Sequence, residues 1–292
     1  MPEVRELYND AVSRFIRAGI EEREAKSNAG LLLGHVFGID RNFIYAHGDH
    51  QIPEGERLSE FYELIRKREE RIPLQHLTHK QSFMGMDFYV DRNVLIPRPD
   101  TELLVEEAMI EVSDGAKVLD LCCGSGCILL SLMKYKNGID GYFSDISAPA
   151  LSVCGRNAGS LGLSDSIHLI ESDLFTGISE DLRFDAILSN PPYIRTSDIE
   201  KLEPEVREHD PGIALDGHED GLYFYRRIAH DAKRYLLLSG LLILETGFDQ
   251  GDAVSDILKK EGYAGIEIKK DYSGNDRVVR ARKPVPGCSE RI

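Results

Sequence analysis

Positive charge is in short supply: 35 Lys and Arg stand against 50 Asp and Glu, leaving a formal net charge of -15 at pH 7. That overall field repels polyanions and argues against a general nucleic-acid binder, because any nucleic acid would have to be met by a local basic patch. Long hydrophobic runs are missing as well, and no stretch approaches the uninterrupted apolar length needed to span a bilayer. The opening residues MPEVRELYND are charged and hold no apolar signal region. The expectation is a cytoplasmic protein, neither exported nor inserted, with no membrane partner. Cysteine is sparse and unevenly spread: of the five, Cys122, Cys123 and Cys127 crowd together, while Cys154 and Cys288 stand apart. An odd, clustered set is not a secreted disulfide framework and suits a reducing compartment. Nor does the spacing resemble a common zinc finger, and the nine histidines show no ligand spacing, so no metal is expected. Internal repeats and low-complexity tracts are absent too.

What is present is an ordinary globular composition, 42% hydrophobic and 29% charged over 292 residues, enough for a sizeable core and two domains. Val4, Leu7, Ala11, Val12, Phe15 and Ile16 recur at helical steps, as do Ala25, Ala29, Leu32, Leu33, Val36 and Phe37. A third helix through Leu58, Phe61, Tyr62, Leu64 and Ile65 is expected to run until Pro73, completing a small bundle without strands. Phe83 to Val90, interrupted by Gly85, reads as a hairpin linking two parts. From about residue 100, apolar strand-like runs alternate with helical patterns: KVLDL, GYFSD, IHLIESD, FDAILSN and LLILETG, with a helix near 219–238 before the last. Such alternation predicts a mainly parallel sheet with helices on both faces. GIEIKKDY and DRVVRARK follow each other with a turn at Ser273 to Asn275 and no helix, so an antiparallel pair should finish the sheet. The expected parts are a helical domain over 1–75, a hairpin linker over 76–98 and a catalytic domain over 99–292.

Asp120-Leu-Cys122-Cys123-Gly124-Ser125-Gly126 falls between a strand and a helix, where open α/β sheets bind ligands. Close glycines let backbone approach a ligand, and Asp145 at the end of the next strand can accept from ribose hydroxyls. A tight strand-to-helix turn needs glycine in many folds, so the loop alone is a weak signal. A dinucleotide fingerprint wants a third glycine where Leu129 stands. The discriminating motif is Asn190-Pro191-Pro192-Tyr193, directly after the strand FDAILS. Prolines also simply stop strands. Chemically, an amide or exocyclic amine is a poor nucleophile that must be positioned. The Asn190 side-chain oxygen and the Pro191 carbonyl can accept both N–H bonds of a planar NH2 group, and Tyr193 can wall a planar substrate. Proline holds that carbonyl in place without adding a donor.

Asn190-Pro191-Pro192-Tyr193 resembles the signature of S-adenosylmethionine-dependent amino and amide methyltransferases. PLQHLTHKQSFMGMDFYVDRNVLIPRPDTELLVE, EPEVREHDPGIALDGHEDGLYFYR, LETGFDQGDAV and SGNDRVV, in that order, are similar to the release factor glutamine methyltransferases of the PrmC/HemK type. The resemblance implies a Rossmann-like, seven-stranded class I methyltransferase sheet. It implies methyl transfer from S-adenosyl-L-methionine to the side-chain amide nitrogen of the glutamine in the Gly-Gly-Gln motif of bacterial class 1 release factors. S-adenosyl-L-homocysteine is the other product. Carried over by position, the loop Cys122, Cys123, Gly124, Ser125 and Gly126 holds the methionine moiety, and Asp120 belongs to the cofactor-binding set. Asp145 takes the ribose, Asp173 and Leu174 the adenine region, and Asn190, Pro191, Pro192 and Tyr193 the substrate glutamine, with Asn190 also beside the cofactor. The helical domain would contact the release factor body. The chain departs from the family in having Cys122 and Cys123 where Gly and Thr are common, and Leu174 where an aromatic is often found.

Several features have plainer readings. Asp173 could cap the segment after its strand. Pro99, Asp100, Thr101 and Glu102 form a good helix start, and the resemblance adds that it borders the active-site mouth. Arg66, Lys67, Arg68 and Arg71 are interleaved with Glu63, Glu69 and Glu70, so a solvated helix face is expected, with contact to an acidic partner patch as the alternative. Glu245 and Asp249 lie near the pocket without an assigned role. The same Asn-Pro-Pro-Tyr motif would suit adenine in a nucleic acid. Net charge and the lack of a base-reading module count against that rival, and another protein glutamine is a second alternative acceptor. A third reading is a non-catalytic interaction protein that keeps the fold. No long exposed apolar stripe is visible, and a monomer without direct nucleic-acid contact is expected.

Overall fold

The computed structural model describes residues 1–285; Cys288 lies outside the described residues. The chain divides into two compact units, Met1–His79 with Glu203–His209, and Lys80–Leu202 with the chain from Asp210 onward. Among the described residues no helix is long and apolar enough to cross a membrane.

The first unit is helical. Helices α1 (Val4–Arg17), α2 (Glu22–Phe37), α3 (Arg41–Ala46), α4 (Glu56–Glu69) and α5 (Leu74–Thr78) close over a core that includes Leu7, Phe15, Leu32, Leu33, Phe61 and Ile65. Burial of each such side chain contributes about 1.5–3 kcal/mol, which is what holds helices too short to stand alone. The sequence pattern under-counts them, because α3 and α5 present only one or two buried positions each. The third expected helix ends at Glu69 rather than at Pro73; Arg71 reverses the chain in the left-handed region and Pro73 starts α5. Arg66 and Lys67 are exposed and paired along their own helix to Glu70 and Glu63, as a solvated face requires. Arg68 corrects that reading. It is 1% exposed, and its guanidinium donates to Asn28 Oδ1 at 2.7 Å and Glu24 Oε1 at 2.9 Å and pairs with Glu205 Oε1 at 2.9 Å. Arg71 joins it on Glu205 through bonds of 2.6 and 2.5 Å. Glu205 sits on α10 (Pro204–His209).

The second unit opens with strands β1 (Gln81–Phe83) and β2 (Met86–Phe88), paired antiparallel around a turn at Met84 and Gly85. Both turn residues have positive φ, 49° and 69°, the twist that a two-residue hairpin needs. Met84 is held in this unfavourable conformation from outside: Glu102 accepts its N–H at 2.6 Å and its carbonyl accepts from the Tyr135 hydroxyl at 2.7 Å. There follow α6 (Glu102–Glu111), β3 (Lys117–Leu121), α7 (Cys127–Tyr135), β4 (Asp140–Asp145), α8 (Ala148–Ser160), β5 (Ile167–Glu171) and β6 (Phe184–Ser189). The short helices α9 (Thr196–Ile199) and α11 (Gly212–Leu215) precede α12 (Tyr223–Tyr235), β7 (Leu236–Glu245), α13 (Gly251–Lys260), β8 (Ala264–Lys270) and β9 (Asp276–Arg282).

The seven-stranded sheet has the order β5-β4-β3-β6-β7-β9-β8, parallel except where β9 runs antiparallel between β7 and β8. The α/β class and the antiparallel finish therefore match the sequence pattern. Leu236 to Leu238, expected at the end of a helix, instead begin β7. Alternating residues serve two cores: Val118, Ala186, Leu188, Leu241 and Ile243 face one helical layer, and Leu119, Ile187, Leu242 and Leu244 the other. The chain runs β3, β4, β5 outward and then returns to place β6 on the other side of β3. That reversal leaves a crevice at the carboxyl ends of β3 and β6, where doubly wound sheets bind their ligands.

Candidate active site

The loop after β3 is built from backbone that side chains resist. Cys122, Gly124 and Gly126 have φ of 57°, 53° and 77°. At Gly124 a β-carbon would meet nothing within 4 Å, so the missing side chain leaves room above the loop. At Gly126 it would lie 2.6 Å from Cys154 Sγ, so packing excludes it. Cys122 has a β-carbon in this left-handed conformation, at a cost of about 1–2 kcal/mol. Asp145, at the end of β4, ties the loop down: its Oδ2 accepts the Gly124 N–H and its Oδ1 the Ser147 N–H, both at 2.9 Å. Burial raises its carboxyl above the usual range, while the backbone N–H groups of Ser147, Gly124 and Ile146 counteract the shift.

Cys122, Cys123, Gly124, Ser125, Asp145, Asp173, Leu174, Asn190 and Pro192 all line one cavity of about 340 Å³. That volume falls in the range of small-molecule sites. Arg98, Thr101, Ile213, His218, Tyr223, Phe224 and Arg227 complete much of the wall. Gly126, Pro191 and Tyr193 do not line this cavity. Nor does Asp120. It is fully buried beneath the loop, accepts a long 3.4 Å bond from the Leu129 N–H, and is pushed up to about 8 by burial. Its Oδ1 has no partner. Asp173 presents its carboxylate to Arg227, which donates two bonds of 2.9 and 3.0 Å, instead of capping the segment that follows. Leu174 takes φ 52°; its carbonyl accepts from the hydroxyls of Ser172 at 2.8 Å and Ser144 at 3.2 Å.

Cys123, Cys127 and Cys154 are buried and free, and burial pushes the Cys122, Cys123 and Cys127 thiols well above their usual range. They are packing groups rather than nucleophiles. Among the described residues, no group of His, Cys, Asp and Glu could hold a metal ion.

The backbone of the Asn190–Tyr193 segment is clamped from several sides. The Gln250 amide donates to the Tyr193 carbonyl at 3.0 Å and the Gly221 carbonyl at 3.3 Å, and Ile194 N–H donates to Leu215 at 3.0 Å. A β-carbon at Gly217 would come within 2.7 Å of the Tyr193 backbone, and one at Gly221 within 2.4 Å of its carbonyl. These glycines exist because the motif passes against them.

The chain matches the family model described as the PrmC N-terminal domain over residues 6–78, and the methyltransferase small domain over residues 99–203. It is 42% identical over 254 residues to the release factor glutamine methyltransferase of Clostridium acetobutylicum, covering 86% of this chain and 89% of that one. The chain belongs to the release factor glutamine methyltransferase family. The family's member from Agrobacterium fabrum is 40% identical over 262 residues, covering 88% of this chain and 90% of that one. Among solved structures, a methyltransferase from Pyrococcus furiosus superposes with a TM-score of 0.53 at 16% identity, over 70% of this chain and 92% of that one. This last likeness concerns the fold alone.

Within this release factor glutamine methyltransferase scaffold, Gln250, Gly217 and Gly221 carried no signal of their own in the sequence. They lay inside, or next to, the similar segments LETGFDQGDAV and EPEVREHDPGIALDGHEDGLYFYR. Thr101 and Glu245 were visible only as a helix start and an unassigned acid.

Proposed function

We propose that the chain transfers a methyl group from S-adenosylmethionine to the side-chain amide nitrogen of the glutamine in the Gly-Gly-Gln motif of bacterial class 1 release factors. The cofactor, when bound, supplies an electrophilic sulfonium methyl group. The observation that carries the reading is that Asn190 shares one cavity with the Cys122–Ser125 loop and Asp145. An acceptor for the substrate amide and an acid for a ribose therefore face the same space. The room above Gly124 fits a ligand pressed against the loop, and the remaining lone pairs of the Asp145 carboxylate suit two hydroxyl donors. Tyr223 and Phe224 offer flat surface beside Leu174 for an adenine.

Asn190 Oδ1 and the Pro191 carbonyl accept the two N–H bonds of the glutamine amide and turn its nitrogen toward the methyl carbon. No general base is needed before transfer, because the N-protonated amide is a strong acid that loses its proton to water. The parts divide the work as a helical domain over 1–75 that grips the release factor body, a hairpin over 76–98, and a methyltransferase domain over 99–292 working as a monomer in the cytoplasm. Net charge of -15 argues against a nucleic-acid acceptor. The test is calorimetric titration with S-adenosylmethionine, followed by peptide mapping of a treated release factor. One added methyl on the Gly-Gly-Gln peptide is expected; binding of cofactor with no modified peptide would overturn the substrate assignment.

A further inference from the structure

Strands β6 and β7 run parallel with Ser189 paired to Leu244, so the register places Asn190 beside Glu245 at the carboxyl edge of the sheet. Glu245 is 1% exposed, and its Oε2 has no hydrogen-bond partner. Its backbone carbonyl accepts from the Tyr225 hydroxyl at 2.9 Å, which fixes where the side chain starts. Burial disfavours the charged form of its carboxylate, and the hydroxyls of Thr101 and Tyr193, together with the Arg277 guanidinium, counteract that in part. Thr101, itself buried, accepts a long 3.5 Å bond from Asn190 Nδ2. Glu245 does not line the cavity, whereas Thr101 and Asn190 do.

We propose that Glu245 is a positioning residue that decides which end of the Asn190 amide meets the substrate. The inference rests on the functional reading above. The oxygen and the NH2 of an asparagine are nearly the same shape, so packing alone does not choose between them. Above about pH 7, the value to which burial raises it, Glu245 is ionised, and an ionised carboxylate only accepts hydrogen bonds. Thr101 must therefore give its proton to Glu245 and receive from Asn190 Nδ2, which leaves Asn190 Oδ1 facing the substrate. A reversed Asn190 would set its own N–H donors against the donors of the glutamine amide, and the reacting nitrogen would lose its orientation. The same carboxylate draws the Tyr193 hydroxyl, so one buried acid orients two side chains of the Asn190–Tyr193 motif.

The test is Glu245→Gln, which keeps the shape but adds a donor that can reverse the chain of hydrogen bonds. It is assayed at pH 8.5, where Glu245 is ionised, beside the wild type with labelled S-adenosylmethionine and a class 1 release factor. The expected result is a fall in kcat of about tenfold or more, with KM, cofactor Kd and Tm nearly unchanged. Thr101→Val should lose a similar factor, and Thr101→Ser, which keeps the hydroxyl, should restore most of it. Combining Glu245→Gln with Thr101→Val should cost no more than the larger single effect. A kcat for Glu245→Gln within about twofold of wild type, or fully additive losses in the double variant, overturns the inference. Failure of the wild type itself to label the release factor overturns the functional reading and this inference with it, so the two failures are told apart.

Discussion

Asp145 Oδ2 accepts the backbone N–H of Gly124 at 2.9 Å, joining the acid at the end of one strand to the glycine loop after its neighbour. The bond makes the acid both a support for the loop and a part of the cavity wall. Asp145→Ala therefore removes the proposed ribose acceptor and loosens the loop together. Cofactor Kd should rise by about tenfold or more, since a hydrogen bond to a charged group is worth about 1.5–3 kcal/mol. Titration calorimetry checks this, and an unchanged Kd would remove Asp145 from the cofactor site.

Asn190 should behave differently, because its proposed role is to orient the substrate. Asn190→Ala should lower kcat by about a hundredfold while cofactor Kd shifts by no more than about threefold. Single-turnover methylation measured beside calorimetry separates the two quantities. Equal losses in both would contradict the division between orientation and cofactor binding.

Cys122 holds φ 57°, a conformation that glycine adopts freely. Cys122→Gly relieves strain in the native loop but adds freedom to the unfolded chain, and these effects offset to within about 1 kcal/mol. Tm should move by only a few degrees and methylation should stay within about threefold of wild type. An inactive wild type made active by this substitution would favour the non-catalytic reading of the chain.

Three buried carboxyls are pushed up by desolvation: Asp120 to about 8, Glu245 to about 7 and Asp210 to about 6. In the unfolded chain each titrates near about 4, so between these values the folded state holds protons that the unfolded state has lost. Stability from these groups is therefore fully present at acid pH and falls as pH rises through about 6 to 8. The slope should be at most about 1.4 kcal/mol per pH unit for each proton. Urea unfolding of the ligand-free protein at pH 5.5 and 8 measures it, and Asp120→Asn should flatten the upper part of the curve. Stability that rises over this window would contradict the burial of these groups as charged-form penalties.

The motifs proposed to carry chemistry stand out in the sequence because each is short and local. A glycine loop, an acid at the next strand end and Asn-Pro-Pro-Tyr can be recognised without knowing what lies across the fold. Strand alternation was equally plain, since buried parallel strands such as Val118–Leu121 are nearly all apolar. The losses came where long-range pairing decides. Arg68 looks like one charge among many on α4 until Glu205 arrives from far along the sequence to meet it. Asp120 belongs to the loop by spacing, but its strand position turns it under the loop, on the same face as Val118. Glu245 acquires its neighbour Asn190 only through the register of β6 with β7. Leu236 to Leu238 could continue a helix by pattern; sheet pairing of Phe184 with Leu236 makes them strand.

The most direct measurement is incubation with labelled S-adenosylmethionine and a bacterial class 1 release factor, beside the same factor with its Gly-Gly-Gln glutamine changed to alanine. Label on the first factor and none on the second is the predicted result. Equal label on both, or label on neither while the cofactor binds, would contradict glutamine of that motif as the acceptor.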